Sequence, residues 1–206
     1  MMMKFPLYQK NDKGLATVEF VVIAFGLIMM VFFVVELTTL YFNIMSAQQA
    51  AYAGARVAIV SDPVMTISGS TPPINEITST GIYGTACSDA SAPCDSTTYY
   101  PAICDGSKAA CSSNVSFTRI LTRMQQFLGG LTASNVKITY AYSGLGFAGG
   151  PATPLVTVTI QNVPYTTGII NTFIGVLTFN SKYSAFTTLP SVSVTLVGED
   201  LSTSGG

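Results

Sequence analysis

The sequence contains no histidine, and only 9% of its 206 residues are charged. Without histidine there is no His general base, no Ser-His or Cys-His nucleophile pair, and no commonest form of zinc site. The charged fraction is far below the roughly 25% of an ordinary soluble domain. Nine basic residues face ten acidic ones, for a formal net charge of −1. That balance offers no basic surface to nucleic acid. No catalytic set is visible, so the chain reads as a non-enzyme, with no cofactor and no metal.

What the chain has in excess is apolar surface, and it is concentrated. From Leu15 to Val35 the sequence is almost continuously apolar, and Glu19 is its one ionisable residue. As a helix this run is about 32 Å long, enough to cross a bilayer core. Ahead of it, Lys4, Lys10 and Lys13 outnumber Asp12. A basic flank keeps the N-terminus in the cytoplasm and sends the C-terminal region across the membrane. An ordinary secretory signal fits poorly, because its apolar run is shorter and ends at a small-residue cleavage site.

The helical pattern continues beyond the apolar run. Glu36–Val60 lacks proline, and Ala47, Ala51, Gly54 and Ala58 recur on one helix face. Such a small-residue stripe permits close helix approach, and packing of the stalk on its own domain is preferred here to a filament seam. Asp62–Pro63 is expected to stop the helix. Glu36, about 26 Å beyond Glu19 along the axis, is expected to be solvated at the outer membrane interface.

Residues 62–114 are dominated by Ser, Thr, Pro, Gly and Asp without a sustained period, and read as a long loop. Cys87, Cys94, Cys104 and Cys111 fall inside it. Their wide spacing and the missing histidines argue against zinc, and an even count in an exported loop argues for disulfides. Of three connectivities, Cys87–Cys94 with Cys104–Cys111 is preferred to the nested Cys87–Cys111 with Cys94–Cys104.

Beyond the loop, Phe117, Ile120, Leu121, Met124 and Leu128 form a helical stripe that Gly129–Gly130 should stop. Val136, Ile138, Tyr140 and Tyr142 alternate as in a strand, as do Val156, Val158 and Ile160, and later Val192, Val194 and Leu196. Ile169–Leu177 suggests another short helix. The predicted fold class is α+β: a long N-terminal transmembrane helix with a C-terminal domain of short helices and a small antiparallel sheet. The expected organisation is a basic leader (1–14), a transmembrane and stalk helix (15–61), a Cys-containing loop region (62–115) and an exported α+β domain (116–206).

The most informative stretch is Lys13-Gly14-Leu15-Ala16-Thr17-Val18-Glu19-Phe20. A carboxylate one turn inside a membrane helix is costly and calls for a partner. Cutting after Gly14 creates one, a positive amine on Leu15, four residues from Glu19. The amine of one chain can also neutralise Glu19 of a neighbour. Such pairing sets axial register, much as a single buried polar residue does in a coiled coil.

These residues resemble the type IV pilin superfamily, and specifically the TadE-like minor pilins of tight-adherence (Tad) pili. Gly14-x-x-x-x-Glu19-Phe20, the acid in Val34-Val35-Glu36-Leu37, and Ala50-Ala51-Tyr52-Ala53-Gly54-Ala55-Arg56 carry the resemblance. It implies that a prepilin peptidase of the aspartyl class cuts between Gly14 and Leu15. It implies that Glu19, beside Phe20, serves assembly with other pilin subunits on an inner-membrane platform, and that the domain is periplasmic and later extracellular in a pilus used for adhesion or secretion. Many family members carry a proline shortly after the Glu-Phe pair, where this chain reads Val22-Ile23-Ala24-Phe25-Gly26, so a straighter helix is expected. The competing readings are a pseudopilin of a type II secretion machine and an uncleaved membrane-anchored binding protein.

Three further patterns carry less. Gly144-x-Gly146-x-x-Gly149 matches a dinucleotide fingerprint, but Pro151 and a strand follow instead of a helix, so a hairpin connection is expected. Asp89, Asp95 and Asp105 read as solvated loop carboxylates, and Asn114-Val115-Ser116 as a merely formal glycosylation acceptor.

Overall fold

The computed structural model describes residues 13–65, 83–89, 100–148, 153–165, 168, 175, 187–199 and 201. The chain divides into two units, Met1–Leu40 with Thr167–Ala185, and Tyr41–Thr166 with Phe186–Gly206. Its longest element is helix α1, Lys13–Ala58, which supplies residues to both.

In the first unit, α1 carries large apolar side chains that are open all round. Val18, Phe20–Ile23, Phe25, Leu27, Ile28 and Met30–Val35 are all exposed. From Ala16 to Ala58 the helix is long and apolar enough to cross a membrane. Its threonines adapt to that setting. The Thr38 hydroxyl donates to the Val34 carbonyl and the Thr39 hydroxyl to that of Glu36, each at 2.8 Å, so both hydroxyl protons are used within the helix. No break occurs across Val22–Gly26, a stretch without proline, as expected.

In the second unit the same helix is buried by its small residues. Ala47, Ala50, Ala51, Ala55 and Ala58 are all buried. Gly54 faces Met124 and Ile120, and a Cβ built there would lie 2.6 Å from the Met124 sulfur. The small-residue stripe is thus a packing surface within the unit, as preferred from its spacing. The helix ends at Ala58, four residues before Asp62, and a looser turn follows through the bonds Ile59 N–H to Ala55 and Val60 N–H to Val57.

The sheet has four antiparallel strands in the order β1 (Ala102–Asp105), β2 (Val136–Leu145), β3 (Thr153–Ile160), β4 (Val192–Val197). One face holds Ala102 and Cys104, then Val136, Ile138 and Tyr140, then Val156, Val158 and Ile160, all buried. This is the alternation expected of a sheet covered on one side. The N–H of Val64 donates to the Tyr140 hydroxyl at 3.2 Å, tying the chain just after α1 to this face. Helix α3, Val115–Gln125, buries Phe117, Ile120 and Met124. It stops short of the expected Gly129–Gly130 boundary, because the N–H groups of Phe127 and Leu128 both turn back to the Met124 carbonyl.

The segment read as loop contains two elements that its composition does not announce, β1 and the single-turn helix α2, Ala109–Ser112. Four residues are too few to display a period. β1 is a strand because it pairs with β2, Ala102 opposite Tyr140 and Cys104 opposite Ile138. The glycine-rich stretch is the connection between antiparallel β2 and β3, with Gly144 and Gly146 at φ of 73° and 106°, where a side chain would strain the backbone. The expected helix at 169–177 lies outside the described residues apart from Gly175.

Candidate functional site: the entry to the apolar helix

Gly14 and Leu15 lie in the first turn of α1, whose helical residues begin at Lys13. Glycine is among the poorest helix formers, so Gly14 weakens this turn of α1, as Gly26 and Gly54 weaken theirs. Residues 1–12, including Lys4 and Lys10, lie outside the described residues. One turn on, Glu19 is exposed and makes no hydrogen bond or ion pair among the described residues. Phe20 beside it is 71% exposed. Leu15 and Glu19 stand four residues apart, roughly 6 Å along the axis and on one side of the helix. The arrangement is a carboxylate without an ion pair among the described residues, set among large apolar side chains that are exposed.

Glu36 departs from expectation. It is 8% exposed, not solvated, and it is not without a polar partner. A buried carboxylate requires such compensation, since leaving it unpaired costs more than ordinary helix packing returns. The two acids of α1 therefore differ in setting: Glu19 is exposed and Glu36 is buried.

The cysteines belong to the second unit. Cys104 on β1 is bonded to Cys111 on α2, with Cα atoms 5.6 Å apart, which excludes the nested pairing. Cys87 is also disulfide-bonded, and Cys94 lies outside the described residues. Around Cys87 the chain is docked on the β2–β3 connection. Gly84 N–H donates to Ala148, Cys87 N–H to Gly146 and Ala148 N–H to Thr85, while the Tyr142 hydroxyl donates to the Cys87 carbonyl. The ring of Tyr100 lies 6.2 Å from that of Tyr142. Burial, with the neighbouring Tyr142, pushes the Tyr100 phenol up to about 12.

The remaining polar candidates have structural work. Asp105 accepts from the Ser107 N–H at 2.9 Å, and these Ser107 hydrogen bonds hold its carboxyl below the usual value. Asp95 lies outside the described residues. Asn114 caps α3, its side-chain oxygen accepting from the N–H groups of Ser116 and Phe117.

Sequence reasoning missed Gly106, where a Cβ would lie 2.1 Å from the Ala133 carbonyl oxygen and 2.5 Å from the Phe117 ring. It also missed the pair Arg119 and Arg123 on the outer face of α3. Their four-residue spacing, each arginine directly following a threonine (Thr118 and Thr122), was the available signal.

The family model of TadE-like proteins matches residues 14–56. The match begins at the glycine of the motif, includes Glu19 and Glu36, and ends within the small-residue stripe. No curated protein and no solved structure matches this chain.

Proposed function

We propose that this chain is a minor pilin or pseudopilin of a Tad-type pilus, cleaved after Gly14 and assembled through Glu19. The observation that carries the reading is the unpartnered Glu19 carboxylate, one turn past Gly14 on a helix whose surrounding side chains are apolar and exposed. In lipid that carboxylate needs a cation, and a new Leu15 amine, from its own chain or the next, supplies one. The similarity to TadE-like proteins over residues 14–56 supports the same reading.

On this reading the chain is a structural subunit, not an enzyme. Its partners are a prepilin peptidase, other pilin subunits and an inner-membrane assembly platform. The basic leader stays cytoplasmic, α1 crosses the inner membrane once, and the second unit is periplasmic before it reaches the filament. The Cys104–Cys111 bond supports an oxidising compartment for that unit.

Intact-mass measurement of the membrane-bound protein, in cells with an active prepilin peptidase, tests the cut. The expected N-terminus is Leu15, and a Gly14→Leu variant should retain the leader. An N-terminus at Met1 in the wild type would overturn the proposal in favour of an uncleaved anchor.

A further inference from the structure

We propose that the outer face of α3 is a binding site for a carboxylated polysaccharide. An open cavity of about 560 Å³ lies in the second unit, a volume typical of small-ligand sites. Val57 of α1 and Val115 supply apolar surface, and Thr118, Arg119, Thr122 and Arg123 supply the polar wall. Among the described residues, no acidic side chain lines it. Arg119 has no hydrogen-bond or ion-pair partner among the described residues, so its five donors are free. Arg123 sits 5.8 Å from the centre of the Phe127 ring and donates one hydrogen bond to Gln126, which steadies it with further N–H groups to spare.

The hydroxyls narrow the class of ligand. Thr118 donates to the Asn114 carbonyl at 3.1 Å and Thr122 to the Thr118 carbonyl at 2.8 Å. Each has used its one proton inside the helix, and each offers only lone pairs to the cavity. The wall therefore presents cationic donors and neutral acceptors side by side, next to apolar surface. A ligand that satisfies all three has carboxylates for the arginines, O–H groups of its own for the threonines, and a C–H face for the valines. Uronic-acid sugars have this combination. Inorganic phosphate lacks the C–H face, and an acidic peptide side chain lacks the hydroxyl donors. The arginines, four residues apart, stand roughly 6 Å apart along the helix, so a repeating anionic chain can engage both. This inference is independent of cleavage and of filament assembly.

The test is calorimetric titration of the full chain in detergent micelles with a short oligogalacturonate. Binding is expected, with loss on methyl esterification of the sugar carboxylates. Arg119→Gln/Arg123→Gln should weaken binding at least tenfold, with unchanged melting temperature because both residues are exposed. Thr118→Val/Thr122→Val keeps the charge and removes the acceptors. It should weaken oligogalacturonate binding several-fold while leaving any binding of dextran sulfate unchanged. The proposal is overturned by absence of wild-type binding, by equal binding of the methyl ester or of poly-aspartate, or by an arginine variant that binds as tightly as the wild type.

Discussion

The two stretches of α1 use the same secondary structure in opposite ways. From Val18 to Val35 the large side chains are exposed almost throughout, whereas from Ala47 to Ala58 the buried side chains are alanines and the exposed ones include Tyr52 and Arg56. Hydrophobicity alone would rank the first stretch as the core. It is not, because a helix that is apolar all round has no polar face to give to water and is suited to lipid instead. The second stretch is buried because it is small. Gly54 lets α1 approach α3 until Met124 and Ile120 are in contact with its backbone, and close approach replaces side-chain bulk as the source of packing. One stretch is thus specified by its solvent, the other by its neighbour.

Four perturbations break this contrast or sharpen it. The largest effect belongs to Glu19→Ala. Filament incorporation should fall to background, scored by the subunit recovered in sheared pili, while cleavage and the melting of the second unit stay as in the wild type. Normal incorporation would remove the assembly role of the carboxylate.

Next in size is Gly106→Val, whose side chain has to displace the Ala133 backbone and the Phe117 ring. A loss of roughly 3 kcal/mol or more is expected in chemical denaturation of the second unit, with cleavage at Gly14 unaffected. Stability within a few tenths of a kcal/mol of wild type would show that this contact yields easily.

The third is a paired substitution in one helix. A Cβ at Gly54 meets Met124, whereas a Cβ at Gly26 meets nothing within 4 Å. Gly54→Leu should cost about 1–3 kcal/mol, and Gly26→Leu should leave the stability of the second unit unchanged. Equal effects of the two would erase the distinction drawn between the stretches.

The smallest concerns Tyr140. Burial pushes its phenol up to about 12, partly offset by the hydrogen bond from Val64. The folded state therefore holds this proton more tightly than the unfolded state, whose phenol titrates near 10. Its contribution is complete below pH 10 and is lost as pH rises towards 12. Tyr140→Phe should flatten that alkaline loss. It should also cost about 1–2 kcal/mol at neutral pH, by leaving the Val64 N–H without its acceptor. An unchanged alkaline unfolding profile would assign the pH dependence elsewhere.

Much of the architecture was legible before the coordinates. The apolar run, the stripe in α3 and the alternation in β2, β3 and β4 are local periodicities, and period follows directly from helix and strand geometry. The candidate site was legible for the same reason, since Gly14, Leu15, Glu19 and Phe20 all lie on one helix and need no tertiary contact to be neighbours. β1 was not legible, because Ala102–Asp105 becomes a strand only through β2. Nor was the state of Glu36, because the presence of a carboxylate in a sequence does not say whether the fold will cover it.

The sequence by itself determined α1, the position of Glu19 one turn past Gly14, and the α+β class, because each is written in spacing along a single element. Only the tertiary structure decided that Cys104 bonds Cys111, that a Cβ at Gly54 would meet Met124 and one at Gly106 the Ala133 backbone, and that Arg119 and Arg123 flank an open cavity. Those facts depend on which atoms meet across distant parts of the chain. Glu19 belongs to the first class and Glu36 to the second, although one helix carries both.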